Sequence, residues 1–247
     1  MMKQELYKMY HRKYFLAWCF LMLLPFLFGI GTIFHLPYMV GESSFPSAFD
    51  YCADMQELVK YFYFLVAVYL AGNLFAGERE EGQLQISMVL IGNRKKIIIA
   101  KILSYASLLF LFQLAFWLVN FFLYYLGNIG SSTFHIMQKG CFISYAGMFF
   151  GYWEMLVLCG VAAILAGMYL KQIHTIVIVY FVWFALRYAN ELVDLKGIFP
   201  EFYADYLMEH LSVTGGEIAV CSFVISGILC ILLSYAAILL FNKKDIA

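Results

Sequence analysis

Charge is what this sequence has least of: Asp, Glu, Lys and Arg make up 13% of its 247 residues, while 64% are hydrophobic and the mean hydropathy is +0.82. Soluble domains average about a quarter charged and about half apolar residues. A water-soluble core cannot hide that much apolar surface, so a soluble globular protein is excluded. A net charge of +0 gives no reason to expect nucleic acid or a strongly acidic partner, and the positions of the charges carry the information instead. Cys19, Cys52, Cys141, Cys159, Cys221 and Cys230 form no C-x-x-C pair and have no histidine at ligand spacing, which argues against a zinc site or a redox motif. They read as small apolar fillers; only Cys52 and Cys141 fall near predicted outer loops, where a bridge between them stays open. Also absent are an internal repeat, a low-complexity tract and any polar stretch long enough to build a core of its own.

What is present is long apolar runs. A bilayer core of about 30 Å takes about 20 helical residues, because in hydrocarbon every backbone amide must be bonded within its own segment. Six stretches meet or approach that length, at 14–36, 58–76, 97–126, 141–170, 172–193 and 218–241. The expected fold class is all-α: a polytopic membrane protein, a single transmembrane domain over residues 1–247. The second stretch is the shortest, and Lys60 at its start is expected to snorkel outward. The fifth carries Arg187 about four turns in, which suggests a broken passage. The first run follows Lys3, Lys8, Arg12 and Lys13 but exceeds the roughly 7 to 15 residues of a secretory signal core, so it reads as a retained anchor.

Basic residues set the expected orientation. With the N-terminus in the cytoplasm, 12 of the 16 lie inside: Lys3, Lys8, Arg12, Lys13, Arg79, Arg94, Lys95, Lys96, Lys101, Lys171, Lys243 and Lys244. Lys60, Lys139, Arg187 and Lys196 are left toward the outside, together with acidic residues from Glu42 to Glu57 and from Glu191 to Glu217. Both termini are therefore expected in the cytoplasm. Two shorter segments look amphipathic. Leu6, Met9, Tyr10 and Tyr14 share one helical face and Glu5, Lys8 and Arg12 the other, as in an elbow helix lying in the inner interface. Between the fifth and sixth runs, Phe199, Phe202, Tyr203, Tyr206 and His210 recur at helical spacing opposite Glu201, Asp205 and Glu209, behind Pro200. A short outer helix is expected there. His11, His35, His135, His174 and His210 fall on different segments, so no metal site is expected. The 19 Tyr and 25 Phe read as bilayer-facing and interfacial residues.

Enzyme motifs are missing. No G-x-S-x-G supports a serine nucleophile, and no G-x-x-x-x-G-K-[ST] supports ATP binding by this chain. The Glu80–Glu81 pair is similar to that of CAAX-type membrane proteases, but their motif needs an Arg where Gln85 stands. The segment with most to say is the loop 76–101. It opens with Glu78, Glu80 and Glu81, continues through Leu84, Ile86, Met88, Val89, Leu90 and Ile91, and closes with Arg94, Lys95 and Lys96. A connection of two to eight residues would suffice between spans, so these apolar side chains call for a cover. Anionic headgroups alone fit poorly, because they repel the acidic start.

This loop resembles that of ABC-2 type transporter permeases: Glu78 or Glu81, Gly82, the apolar run to Leu90, Arg94 and Lys101 fall in register with the family's pattern. Gln83 stands where Thr is common, and Ile91 or Gly92 where Pro is common. The segment Phe241-Asn242-Lys243-Lys244-Asp245-Ile246 also resembles the way such permeases end. The resemblance implies half of a transport channel of a bacterial cell membrane, pairing with a second copy or a sister permease. A separate cytoplasmic ATP-binding cassette subunit would hold ATP and Mg, leaving this chain with no cofactor and no catalysis. Its docking residues would be Glu78, Arg79, Glu80, Glu81, Gly82, Leu84, Arg94, Lys95 and Lys96, a short helix with apolar knobs and both signs of charge that fills a groove. The small size and short outer loops are similar to permeases of peptide-antibiotic export or immunity systems, with a peptide, drug or lipid as cargo. Glu154, the one acidic residue near the middle of a span, either faces the dimer interface or substrate path, with Asn120, Gln113 or Arg187 as partner, or holds helices together. An intramembrane protease-like enzyme and a non-transporting sensor or assembly protein are the rival readings.

Overall fold

Apolar runs with few breakers become helices, and polar caps and glycines decide where they stop. In the computed structural model, which describes residues 2–34, 46–128, 135–138, 141–209 and 216–243, the described regular structure is all helical. α1 (Met2–His11) meets α2 (Tyr14–Ile33) at a two-residue corner where Lys13 takes φ 56°. α3 (Ala48–Gly72) starts under the Ser47 hydroxyl, which accepts the Asp50 amide at 3.3 Å, a side-chain cap for an orphan donor. It passes through a π-helical turn (Asn73–Gly77) into the single turn α4 (Glu78–Glu80). Gly82 and Gly92, at φ 73° and 65°, then bracket the short α5 (Gln83–Ile91), a conformation that only glycine enters at little cost. Asn93 accepts the Lys96 amide at 3.2 Å and opens α6 (Arg94–Gly127). α7 (Phe142–Gly167), α8 (Gln172–Leu192), α9 (Pro200–Glu209) and α10 (Gly216–Lys243) follow.

Among the described residues six helices, α2, α3 with its continuation to Glu80, α6, α7, α8 and α10, are long and apolar enough to cross a bilayer. The chain is an all-α, multi-pass membrane protein. α7 is the hub, packed against α3, α6, α8, α9 and α10. Its glycines set the distances: a Cβ on Gly151 would strike the Pro200 carbonyl, and one on Gly160 would enter the Tyr105 ring. Aromatic stacking fills the interior, with Trp18 on Phe112 at 4.7 Å and Phe64 on Trp183 at 4.2 Å between centroids.

Several expectations change. The second span begins at Ala48, ten residues before the 58–76 run, because α6 and α7 shield its polar first turns, with Tyr145 on Asp50 and Gln113 and Trp117 on Gln56. Lys60 accordingly does not snorkel: its side chain is 1% exposed and paired with Glu57 and Asp205. α8 is unbroken from Gln172 to Leu192, since Arg187 finds carboxylate partners within the protein. On α1 the buried face carries Glu5 and Met9, while Tyr10 is exposed, contrary to the grouping by hydropathy. On α9, Glu201 lies on the buried face beside Phe202, Tyr203 and Ala204 rather than opposite them. No disulfide joins Cys52 to Cys141, and the Cys52 thiol donates to the Trp117 carbonyl at 3.5 Å. His35, Glu42, Lys139, His210, Lys244, Asp245 and Ile246 lie outside the described residues.

Candidate functional site: the α1–α5 end of the bundle

The loop singled out by sequence is held from three sides. The π turn at the end of the second span frees a backbone acceptor, and the Lys101 ammonium of α6 donates to it, the Leu74 carbonyl, at 3.0 Å. The same ammonium donates to Glu5 Oε2 on α1 at 3.0 Å and to Glu78 Oε2 on α4 at 2.5 Å. Three donors meet three acceptors, and the Lys101 side chain is fully buried. Lys8 reaches Glu5 at 3.0 Å and Glu78 at 3.6 Å, and Arg12 donates to Glu81 Oε2 at 2.8 Å and Gln83 Oε1 at 2.7 Å. Burial by itself would raise the Glu5 carboxyl, but Lys101 and then Lys8 outweigh it and hold Glu5 below the ordinary carboxylate value. The elbow helix is thus bolted to the loop by a network of three cations and three carboxylates.

Arg79 faces the other way. Its guanidinium donates to the carbonyls of Gly167, Met168 and Leu170, at 2.7, 2.5 and 2.8 Å, closing the C-terminus of α7. Glu80 accepts the Gln172 amide at 2.8 Å at the N-terminus of α8, and Gln172 Nε2 donates to Asn73 Oδ1 in the π turn at 2.6 Å. Arg94 donates to the Phe241 carbonyl of α10 at 3.1 Å. Leu84 is fully buried among Phe75, Ile97, Ile98, Ile164, Met168 and Phe241.

Compared with known protein families and with curated proteins, the sequence matches none. The geometry must therefore speak for itself, and it divides the sequence-predicted docking residues in two. Glu78, Arg79, Glu80, Leu84 and Arg94 are engaged inside the chain as braces. Glu81, Lys95 and Lys96 are exposed, and Gly82 sets the left-handed entry to α5. The surface that remains for a partner is apolar: Ile86, Val89 and Leu90 are 61%, 85% and 79% exposed, at i, i+3 and i+4 on one face. Between this helix and α1 lies a groove of about 770 Å³ lined by Lys3, Tyr7, Lys8, Ser87, Leu90 and Ile91.

The residues proposed for a path inside the membrane do not meet. Gln113 Nε2 donates to Gln56 Oε1 at 2.8 Å, Asn120 Nδ2 to the Phe116 carbonyl of its own helix at 2.9 Å, and Arg187 to Glu201 and Asp205. Glu154 instead faces α10, with Ser226 and Gly227 beside its carboxylate. The pairing of Glu154 with Asn120, Gln113 or Arg187 is thus corrected: all three are engaged with other partners. Sequence reading missed Glu5 and Arg12 as members of the network. The signal was present as Glu5 and Lys8 one turn apart on a helix otherwise suited to an interface.

Proposed function

We propose that this chain is the permease subunit of an ABC-2 type exporter in a bacterial cell membrane, with both ends cytoplasmic. A second permease copy or sister subunit completes the path, and a separate cytoplasmic subunit binds ATP and Mg and hydrolyses the nucleotide. What supports a motor partner is the α5 surface: Ile86, Val89 and Leu90 stand exposed on a nine-residue helix braced at both ends. Such a helix is poor as a passive connection, because its apolar face has no cover of its own and its braces lead into four spans. Before it, α4 is tied to α7 by Arg79, to α8 by Glu80 and to α6 by Lys101, and after it Arg94 at the start of α6 is tied to α10. A push on α5 is thereby delivered to most of the bundle at once, which is the requirement for coupling a soluble ATPase to helix movement. The cargo fitting a chain this apolar is an amphipathic peptide, a drug or a lipid.

The test is site-specific photo-crosslinking in living cells. A benzophenone side chain at Val89 is expected to capture a soluble protein carrying a nucleotide-binding P-loop, whereas one at Tyr188, which is exposed on α8, is not. Adducts at Val89 with lipid alone overturn the proposal.

A further inference from the structure

At the end of the bundle opposite α5, six ionisable side chains from four helices meet in one cluster. α3 contributes Glu57 and Lys60, α7 Tyr152, α8 Arg187, and α9 Glu201 and Asp205. Lys60 is ion-paired with Glu57 and reaches Asp205 Oδ2 at 3.3 Å. Arg187 donates to Glu201 Oε1 at 3.2 Å and Asp205 Oδ2 at 3.1 Å, and lies 3.5 Å from Glu57 Oε1. The Tyr152 hydroxyl donates to Asp205 Oδ1 and lies 3.1 Å from Glu57 Oε2. Trp183, one turn before Arg187, donates its indole N–H to Glu201 Oε2 at 2.7 Å.

Three carboxylates here face two cations, so full ionisation leaves one uncompensated negative charge. Water can spread that charge only where it has access. The side chains of Glu57 and Asp205 are 38% and 27% exposed, but that of Glu201 is fully enclosed. An unbalanced charge is most costly at Glu201. The groups facing it are Lys60 from α3, Tyr152 and Cys159 from α7, Trp183 and Arg187 from α8, and Asp205 one turn along α9. One oxygen has the indole and the other the guanidinium, and the second cation is committed to Glu57 and Asp205.

We propose that this cluster is a proton-binding site: one proton taken from water through the exposed edges of Glu57 and Asp205 is held by Glu201, and its presence fastens α9 onto α3, α7 and α8. Binding makes one carboxyl O–H bond and involves no other chemistry. The carboxyl of Glu201 is pushed up to about 8, by burial first and by the neighbouring Asp205 second, against the indole bond and Arg187. The sign follows by linkage. With α9 detached, Glu201 is wetted and returns toward its ordinary value of 4.5, so the docked state holds a proton that the detached state has released. Raising the pH therefore favours detachment, by up to about tenfold per pH unit, until the docked carboxyl ionises as well. The site requires no transport role for the chain, so it stands or falls separately from the α5 surface.

The experiment is hydrogen–deuterium exchange on the full chain in lipid nanodiscs between pH 5.5 and 9.5, corrected for intrinsic exchange rates. Protection of residues 200–209 is expected to fall by roughly tenfold per pH unit and to level off above about 8, while the middle of α6 keeps its protection. Glu201→Gln carries no titratable proton and is expected to abolish the slope. Asp205→Asn removes the neighbouring negative charge and should move the levelling-off to lower pH, which keeps the test decisive if the first variant fails to fold. A pH-independent α9 in the wild type, or an unmoved profile in Asp205→Asn, overturns the proposal.

Discussion

Lys101→Met isolates the brace that holds the elbow to the loop. The wild-type ammonium is fully buried and touches Glu5, Glu78 and the Leu74 carbonyl, all within hydrogen-bonding distance. Methionine has similar length and no charge, so the perturbation removes one cation from a balanced set of three cations and three carboxylates. Lys8 stays within 3.0 Å of Glu5 and 3.6 Å of Glu78, and Arg12 within 4.0 Å of Glu78. These two partly replace the lost charge, but both are more exposed than Lys101 and neither reaches the freed Leu74 carbonyl. Breaking a buried pair by deleting one partner costs about 3 to 5 kcal/mol, and the lower end is expected here. For a chain of this size, about 2 to 4 °C per kcal/mol translates this to a melting temperature roughly 6 to 12 °C lower. The assay is thermal unfolding of the protein in nanodiscs, with amide exchange of α1 as the local readout. Adding Glu5→Gln and Glu78→Gln to Lys101→Met should restore most of the loss, because a neutral site no longer strands buried carboxylates. A loss below about 1 kcal/mol, the range of exposed ion pairs, or no rescue by the two glutamines, refutes the reasoning.

Three further outcomes are expected. Arg79→Lys should destabilise almost as much as Arg79→Ala, by about 1 to 3 kcal/mol, because one ammonium cannot serve the three α7 carbonyls that the planar guanidinium spans; thermal unfolding of both variants checks this. Gly160→Ala should cost about 1 to 3 kcal/mol by driving a methyl into the Tyr105 ring, and Gly160→Ala with Tyr105→Leu should lose less than the two single changes summed. The elbow should loosen in acid: Glu5, lowered in the folded chain, contributes stability above its ordinary value of 4.5 and loses it as the pH falls through the lower folded value, so α1 exchange rises there in the wild type and is insensitive to pH in Glu5→Gln.

The sequence by itself determined the class of the protein and the place to look. Uncharged runs of about 20 residues admit only helices in hydrocarbon, and the six runs reappear as six long apolar helices. The loop between the second and third was marked by six apolar residues with no cover, and its outward triplet Ile86, Val89 and Leu90 is exposed. Gly82 and Gly92 bound α5 for a reason visible in composition, since local backbone conformation follows from residue type. What only the tertiary structure decided is where the charges go. Hydropathy ranks Glu5, Lys60, Lys101 and Glu201 as residues that belong in water, yet each is buried against partners from distant segments: Glu5 with Lys101, Lys60 with Asp205, Glu201 with Arg187. A single sequence shows the cost of burying a charge and not the opposite charge that offsets it, because that charge arrives from another helix. Hence the start of the second span, the buried faces of α1 and α9, and the division of the loop into braces and an open surface were set by packing alone.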